Sequence, residues 1–198
     1  MAADRTTLNE SNYGGRFTWR CFGDEEKEIV FDSEKGAGAT ANNAEIRYLG
    51  ALVIMPPETF RDLALTLHFP KETTDDYLPK VAKTKGLGPP MLYLHELDQP
   101  IAASRGKVVL RYAVVGHEGR HRARFIQRSG CYRMPVHVII KGKRARHFTP
   151  TVLESLRDGV VREDAVAIHG NQSHYDVMWS PMRFDVAFVN GERYVFSK

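Results

Sequence analysis

Hydrophobic residues along this chain follow two periods, one typical of helices and one typical of strands. After Pro57, the residues Phe60, Leu63, Ala64 and Leu67 recur at the spacing that gives a helix one apolar face. Short apolar runs rich in β-branched residues predict strands. The predicted strands are residues 45–48, 51–55, 91–94, 108–115 and 135–140.

Two more helices are predicted in the second half of the chain. Ala123 and Ile126 suit a helix that begins near Gly119 or Arg120, and Gly130 favours a left-handed stop behind it. Thr149-Pro150 is predicted to open the other helix. In that helix, Thr151 and Glu154 have the spacing of a capping box.

These elements fit one α+β domain over residues 44–198, with a small mixed sheet and flanking helices. Asn190-Gly191 lies between two apolar runs and predicts a C-terminal β-hairpin with a type I′ turn. Residues 1–43 contain few packing residues and predict an N-terminal extension or peripheral layer, with a short strand at 28–31. Residues 71–90, broken by proline and glycine, predict a long surface connection.

Composition argues against a membrane protein and against a secreted one. No run approaches the roughly 18 apolar residues of a membrane span, and the polar start lacks the apolar centre of a signal peptide. We therefore expect a cytoplasmic protein with no membrane partner. Cys21 and Cys131 form no paired spacing, so the expectation is two buried thiols rather than a disulfide framework or a zinc site.

The formal net charge of +4 hides a segregation of charge. No Asp or Glu occurs between Glu118 and Glu154, whereas the rest of the chain carries a net negative charge. A segregated field of this kind concentrates anions. The alternative is a solvated basic face without a ligand. The basic residues of this stretch are Arg120, Arg122, Arg124, Arg128, Arg133, Lys141, Lys143, Arg144 and Arg146.

The passage from a strand that ends at Gly116 to a helix near Arg120 predicts an anion-binding turn. The first N–H groups of a helix have no partner within the helix, and the helix dipole places partial positive charge there. Gly116 and Gly119 would let a phosphate approach the backbone. Arg120 and Arg124 lie four residues apart and repel each other unless an anion lies near them.

A rival interpretation of the same residues is a zinc hydrolase. His117-Glu118-Gly119-Arg120-His121 matches H-E-x-x-H, in which two histidines one helical turn apart bind zinc and the glutamate activates water. That arrangement needs a continuous helix. Gly116 and Gly119 each cost about 1 kcal/mol in a helix relative to alanine, and the arginines nearby oppose a bound dication.

The string from Glu118 to Ala123, with the run from Gly130 to Val138 behind it, resembles the acid-Gly-x-His-Arg signature of the ParB/sulfiredoxin-like superfamily. Phage-encoded members of that superfamily are also similar in layout, which would place the protein in a bacterial or phage-infected host cell. The resemblance is specific over about 25 residues and implies that Gly119, His121 and Arg122 hold nucleotide phosphates, with Arg120 beside them. No helix-turn-helix follows Lys141, and Arg120 stands where sulfiredoxin has its reactive cysteine.

The resemblance implies a nucleotide-binding protein that hydrolyses a nucleoside triphosphate or transfers its phosphoryl group, with Mg²⁺ and ATP or CTP, acting on or with nucleic acid. Glu118 and Glu96 are the candidate catalytic carboxylates, and Glu118 and Asp98 the candidate metal ligands. The alternative is a DNA- or RNA-backbone-binding module without catalysis. Its candidate residues are Arg124, Arg128, Lys141, Lys143, Arg144 and Arg146.

Overall fold

A computed structural model describes residues 16–21, 27–32, 50–64, 78–79, 87–143, 145–169, 177–190 and 192–196. The strands are β1 (Arg16–Cys21), β2 (Lys27–Asp32), β3 (Gly50–Met55), β4 (Met91–Ala103), β5 (Val108–Glu118), β6 (Met134–Ile140), β7 (Val160–Val161), β8 (Trp179–Ser180), β9 (Val186–Val189) and β10 (Glu192–Val195). The helices are α1 (Pro57–Leu63), α2 (Arg120–Arg128), α3 (Pro150–Asp158) and α4 (Glu163–His169). A 3-10 turn occupies Ala145–His147. The expected α+β class is confirmed.

Eight strands form one mixed sheet in the order β10-β9-β3-β6-β4-β5-β7-β8. β4 pairs in parallel with β6, and β5 pairs in parallel with β7, while the other neighbours are antiparallel. β1 and β2 pair with each other as a separate antiparallel sheet. The two strands of the predicted C-terminal hairpin, β9 and β10, form one end of this sheet. The sequence did not predict β7 and β8, which form the other end.

The hydrophobic core is built around the middle of the sheet. Every residue of β3 and β6 is buried, as expected for strands with a neighbour on each side and packing on their faces. Three helices pack against the core, and each contributes a pair of buried residues at helical spacing. These pairs are Phe60 and Leu63 of α1, Ala123 and Ile126 of α2, and Leu153 and Leu156 of α3.

The predicted helices are present, with corrections at their ends. α2 begins at Arg120 and is followed by Gly130 in the left-handed region at φ 83°, as expected. The N-cap of α3 is Thr149, whose side chain accepts a hydrogen bond from Val152 N at 3.3 Å. The predicted capping role of Thr151 is therefore wrong, because Pro150 already occupies the first turn and places the cap one residue before it. Leu67 lies outside the described residues.

The strand predicted at 91–94 is much longer than expected and continues to Ala103. Its second half is polar because it pairs with β5 in a long hairpin whose turn lies at 104–107 and whose outer residues are exposed. The C-terminal hairpin is confirmed by the antiparallel pairing of β9 with β10, with Asn190 at φ 52°. The strand predicted at 45–48 and most of the connection at 71–90 lie outside the described residues. Where that connection is described, Leu78 and residues 87–90 are buried, so the predicted surface position is wrong there.

Cys131 is buried, as expected, but it is disulfide-bonded and not a thiol. Spacing along the sequence missed this bond because it says nothing about which residues meet in space. Disulfides are rare in cytosolic proteins, so the bond does not favour the cytoplasmic location that composition suggested. In the described part of the chain, no helix combines the length and the apolar character that crossing a bilayer requires.

Candidate functional site

One edge of the large sheet brings together the residues that carry chemistry. β5 ends there at Glu118, opposite the start of β4 at Met91, and β3 ends there at Met55, opposite the start of β6 at Met134. β4 and β6 are parallel neighbours, so both strands begin at this edge. We call it the turn edge, after the Gly119 turn that leads from β5 into α2.

Gly119 has a backbone conformation and surroundings that favour glycine. It is the N-cap of α2, at φ 94° and ψ 22°, and its carbonyl accepts the first helical hydrogen bond, from Ala123 N at 2.9 Å. A Cβ added there would lie 2.8 Å from Arg122 Nη2 and 3.0 Å from Pro90 Cα. No acidic side chain occupies the first turn of α2. Arg122 and Pro90 therefore lie close to the backbone of Gly119, and the turn forms a helix end that favours anions.

Arg122 folds back over this turn. Its Nη1 donates a hydrogen bond to the carbonyl oxygen of Gly88 at 2.6 Å, and its Nη2 lies 3.3 Å from Glu118 Oε1. The Arg122 side chain is 15% exposed and that of Glu118 is 44% exposed. Arg122 thus ties the segment before β4 to the turn after β5. These bonds hold the turn in place, and the contact with phosphate that the resemblance implies for Arg122 stays a prediction.

Glu118 and Arg122 also act on Tyr93, which pairs with Gly116 across β4 and β5. Burial raises the pKa of the Tyr93 hydroxyl, and the negative charge of Glu118 raises it further, while Arg122 opposes the shift. Gly116 itself is in extended strand, and a Cβ there would lie 3.6 Å from the Tyr93 ring, an ordinary contact distance. β5 continues through Gly116 and ends at Glu118, two residues later than the sequence predicted.

The next residue along the strand, His117, faces the opposite side of the sheet from Glu118, because neighbouring side chains alternate. Its Nδ1 lies 2.7 Å from Oε2 of Glu163, and the two side chains are only 14% and 18% exposed. The Phe60 ring meets the imidazole edge to face, with 6.5 Å between ring centres. The pair is a partly buried imidazole–carboxylate unit beside the Gly119 turn.

Strand pairing explains how Glu163 reaches His117. β5 and β7 are parallel, with Ala113 paired to Val161, so the chain after β7 leaves the sheet on the same side as the end of β5. The adjacent carboxylate, Asp164, is held by Arg162 through contacts of 3.1 Å to Nε and 3.0 Å to Nη2. Of the two neighbouring acids, Asp164 is thus neutralised by arginine and Glu163 is directed to the imidazole.

Sequence reasoning did not find this pair. The sequence analysis considered His117 only within H-E-x-x-H, where its partner would be zinc. The available signal was local: Val160 and Val161, followed by two acids, are typical of a short strand that leads into a helix N-terminus. That signal predicts the position of Glu163 but not its partner, because the partner depends on which strand β7 joins.

The structure does not bring the other candidate carboxylates to the turn edge. Glu96 lies five residues along β4 from Met91, about 17 Å from the edge at the rise of an extended strand, and Asp98 lies farther. Glu96 Oε2 is instead 3.5 Å from Lys143 Nζ. Glu118 ends β5 at the turn edge, whereas Glu96 and Asp98 lie along β4, away from that edge. The three carboxylates therefore do not form one catalytic or metal site.

The geometry of a zinc hydrolase is also missing. His117 and Glu118 belong to a strand, and His121 belongs to α2, so the two histidines do not lie on successive turns of one helix. Among the described residues, no group of three or more His, Cys, Asp or Glu side chains is arranged to hold a metal ion.

The basic stretch is divided between the two ends of β6. Arg120, Arg124 and Arg128 lie on α2, which starts at the turn edge. Lys141 and Lys143 follow the other end of β6, about 20 Å away along the strand, and Arg146 lies in the 3-10 turn beyond them. Arg144 lies outside the described residues. The expected single basic surface from 120 to 146 is therefore wrong, because a strand separates its two halves.

Comparison with known proteins adds no family assignment to this geometry. No protein-family model matches the chain, and it matches neither a curated protein nor a solved structure.

Proposed function

We propose that the Gly119 turn binds the phosphates of a nucleotide and that the protein hydrolyses a nucleoside triphosphate or transfers its phosphoryl group. The observation that carries the proposal is the left-handed glycine at the N-cap of α2, with no acid in the first helical turn. Such a turn favours an anion through the helix dipole and backbone N–H groups. The resemblance to the ParB/sulfiredoxin-like superfamily, whose turn holds phosphates, supports the same assignment and the same fold.

Arginine and histidine supply the remaining positive charge. Arg120, His121 and Arg124 are half-buried on the first turns of α2. Arginine forks bind phosphate oxygens in bidentate fashion, and the charge they carry would stabilise charge that builds on a transferred phosphoryl group. Arg122 contributes by holding the turn against Gly88.

His117 and Glu163 are the candidates for proton transfer. A carboxylate at Nδ1 fixes the tautomer in which Nε2 can take a proton from water or a hydroxyl group. The oxygen of that nucleophile would attack the terminal phosphorus, the bond to the bridging oxygen would break, and the nucleoside diphosphate would leave. This assignment replaces Glu96, which lies far from the turn, as the candidate catalytic group.

A magnesium ion fits this site only together with a nucleotide. Magnesium is commonly held by one or two carboxylates plus substrate phosphates, and it would supply charge neutralisation there. Glu118, directly before the turn, is the described carboxylate that could hold it, and it already lies 3.3 Å from Arg122.

Calorimetry with ATP and CTP, each with and without magnesium, tests the proposal. We expect binding that weakens by about tenfold in Arg120→Gln, since a charge-assisted hydrogen bond contributes roughly 1.5–3 kcal/mol. Lys107→Gln, in the exposed turn at the opposite edge, is the control and should bind as wild type does. If neither nucleotide binds, or if both variants bind equally, the assignment of the turn is wrong.

A second candidate is a module that grips a nucleic-acid backbone without catalysis. The lack of acidic side chains from Gly119 to Leu153 favours it, since Arg124 and Arg128 extend the positive charge along α2. Backbone binding should weaken linearly on a log–log salt plot with a steep slope, whereas a compact nucleotide site should respond less.

A further inference from the structure

A separate groove of about 440 Å³ opens at the turn edge, away from Gly119. Met182 and Phe184, both buried, give it apolar walls, and Pro56 contributes the residue that follows β3. The volume lies within the range of small-molecule and nucleotide sites. Charged residues make up the rest of the lining: Arg133, Arg157, Arg183, Asp158 and Asp185.

The arginines of the groove are fixed to different degrees. Arg133 is ion-paired with Asp185, and Arg157 donates through Nε to the carbonyl oxygen of Phe184 at 2.9 Å. The guanidinium of Arg157 also lies 4.9 Å from the centre of the Phe196 ring. Arg183 is exposed. Three arginines against two aspartates leave the groove with a net positive charge.

An exposed aromatic residue directly precedes Arg133, one of the residues that line this groove. This residue, Tyr132, is 70% exposed and lies in the loop between α2 and β6. A large side chain held this far into solvent buries little of its own surface, so the fold gains little from it. Among basic residues, an exposed ring is the feature on which proteins stack unpaired bases.

We propose that the groove and Tyr132 form a binding surface for single-stranded nucleic acid. Guanidinium groups of Arg133, Arg157 and Arg183 contact phosphates, and the Tyr132 ring stacks on a base. Stacking of this kind requires an unpaired base, which favours a single strand over a duplex. This surface goes beyond the proposed nucleotide site and does not depend on it.

The position of the groove relates the two sites. Arg133 precedes β6, and β6 is separated from β5 by β4 alone. Strands lie about 4.8 Å apart, so Arg133 and the Gly119 turn are about 10 Å apart across the sheet. Met91 pairs with both Glu118 and His137, so Arg133 also lies about 10 Å farther out along the strand direction than Gly119. A single-stranded nucleic acid in the groove would therefore have to extend beyond the groove to bring a phosphate or a terminal hydroxyl to the turn.

Fluorescence anisotropy with labelled oligothymidine and oligouridine of about twelve nucleotides tests the surface. Tyr132→Ala should weaken binding by about tenfold, whereas Tyr132→Phe, which keeps the ring, should bind as wild type does. Arg183→Gln should weaken binding and lower the log–log salt slope by about one. Lys107→Gln, in the exposed turn at the opposite edge of the sheet, is the charge control and should change neither quantity.

Three results would overturn the proposal: no binding of either oligonucleotide, equal binding by Tyr132→Ala and wild type, or tighter binding of the matching duplex. An equal loss in Lys107→Gln would also overturn it, because the charge effect would then not be specific to the groove. Oligonucleotide binding that persists when ATP and CTP fail to bind in calorimetry would overturn the proposed function alone.

Discussion

The Arg122 guanidinium donates a hydrogen bond of 2.6 Å to the carbonyl oxygen of Gly88 across the Gly119 turn. The two residues lie 34 positions apart, so this bond joins the start of β4 to the start of α2. It also fills the space that a side chain at 119 would need. The shape of the candidate site therefore depends on an arginine that sequence reasoning had assigned to the ligand.

Gly119→Ala should destabilise the fold. A non-glycine residue in the left-handed region costs about 1–3 kcal/mol, and the contact with Pro90 Cα adds to that cost. Gly106→Ala is the control, because Gly106 has φ 82° but no atom within 4 Å of its added Cβ. Urea unfolding of both variants separates the free-energy cost of the left-handed backbone from the cost of the contacts with Arg122 and Pro90. Equal losses of unfolding free energy would show that Arg122 and Pro90 do not confine the turn.

Gly116→Ala should leave the fold intact. Gly116 lies in an extended strand, and its added Cβ would only touch the Tyr93 ring, at 3.6 Å. We expect a change in unfolding free energy of less than about 1 kcal/mol, because alanine suits a strand interior better than glycine does. Nucleotide affinity should also be unchanged, which calorimetry measures. A large loss of affinity would restore the predicted phosphate role of Gly116.

The unfolding free energy should fall as the solution becomes strongly alkaline. The folded-state pKa of Tyr93 is raised above its ordinary 10.0, mainly by burial and secondly by Glu118. The stabilising contribution of the neutral Tyr93 hydroxyl is therefore fully present below about pH 10. It is lost as pH rises through the higher pKa of the folded state. Tyr93→Phe cannot ionise and should lose less stability between about pH 9 and pH 11. Identical slopes for the variant and wild type in urea unfolding would contradict this prediction.

His117→Gln should lower the rate of nucleoside triphosphate hydrolysis by about a hundredfold or more, a typical loss for a general base. Glu163→Gln should lower it less, because an amide still contacts Nδ1 but no longer stabilises the protonated ring. Nucleotide affinity should persist in both variants. His147→Gln changes an exposed histidine of the 3-10 turn and serves as the control. An unchanged rate in folded His117→Gln would remove the pair from the reaction.

Local patterns were enough to predict much of the fold near the site. The α2 helix, its start at Arg120 and its stop before Gly130 all follow from residue types within about a dozen positions. The C-terminal hairpin follows from Asn190-Gly191 in the same way. Glycine preferences and hydrophobic spacing act over short distances, so they can be inferred from sequence.

Long-range relationships could not be inferred in this way. The pairing of Arg122 with Gly88, and of His117 with Glu163, depends on strand order, which hydrophobic spacing does not encode. The division of the basic stretch between the two ends of β6 has the same origin. A run of like charges in sequence forms one surface only if the chain does not cross the sheet in between.

The sequence separation of 46 between His117 and Glu163 has a consequence for how the proposed activity would arise. During synthesis, a nascent chain that has reached only β6 already carries the glycine turn and its arginines, but not the carboxylate that orients the imidazole. The proposed proton transfer would then require β7 to dock beside β5, a step that closes a long loop and is slow compared with local helix formation. During folding, the turn would therefore be able to bind an anion before the His117–Glu163 pair has formed.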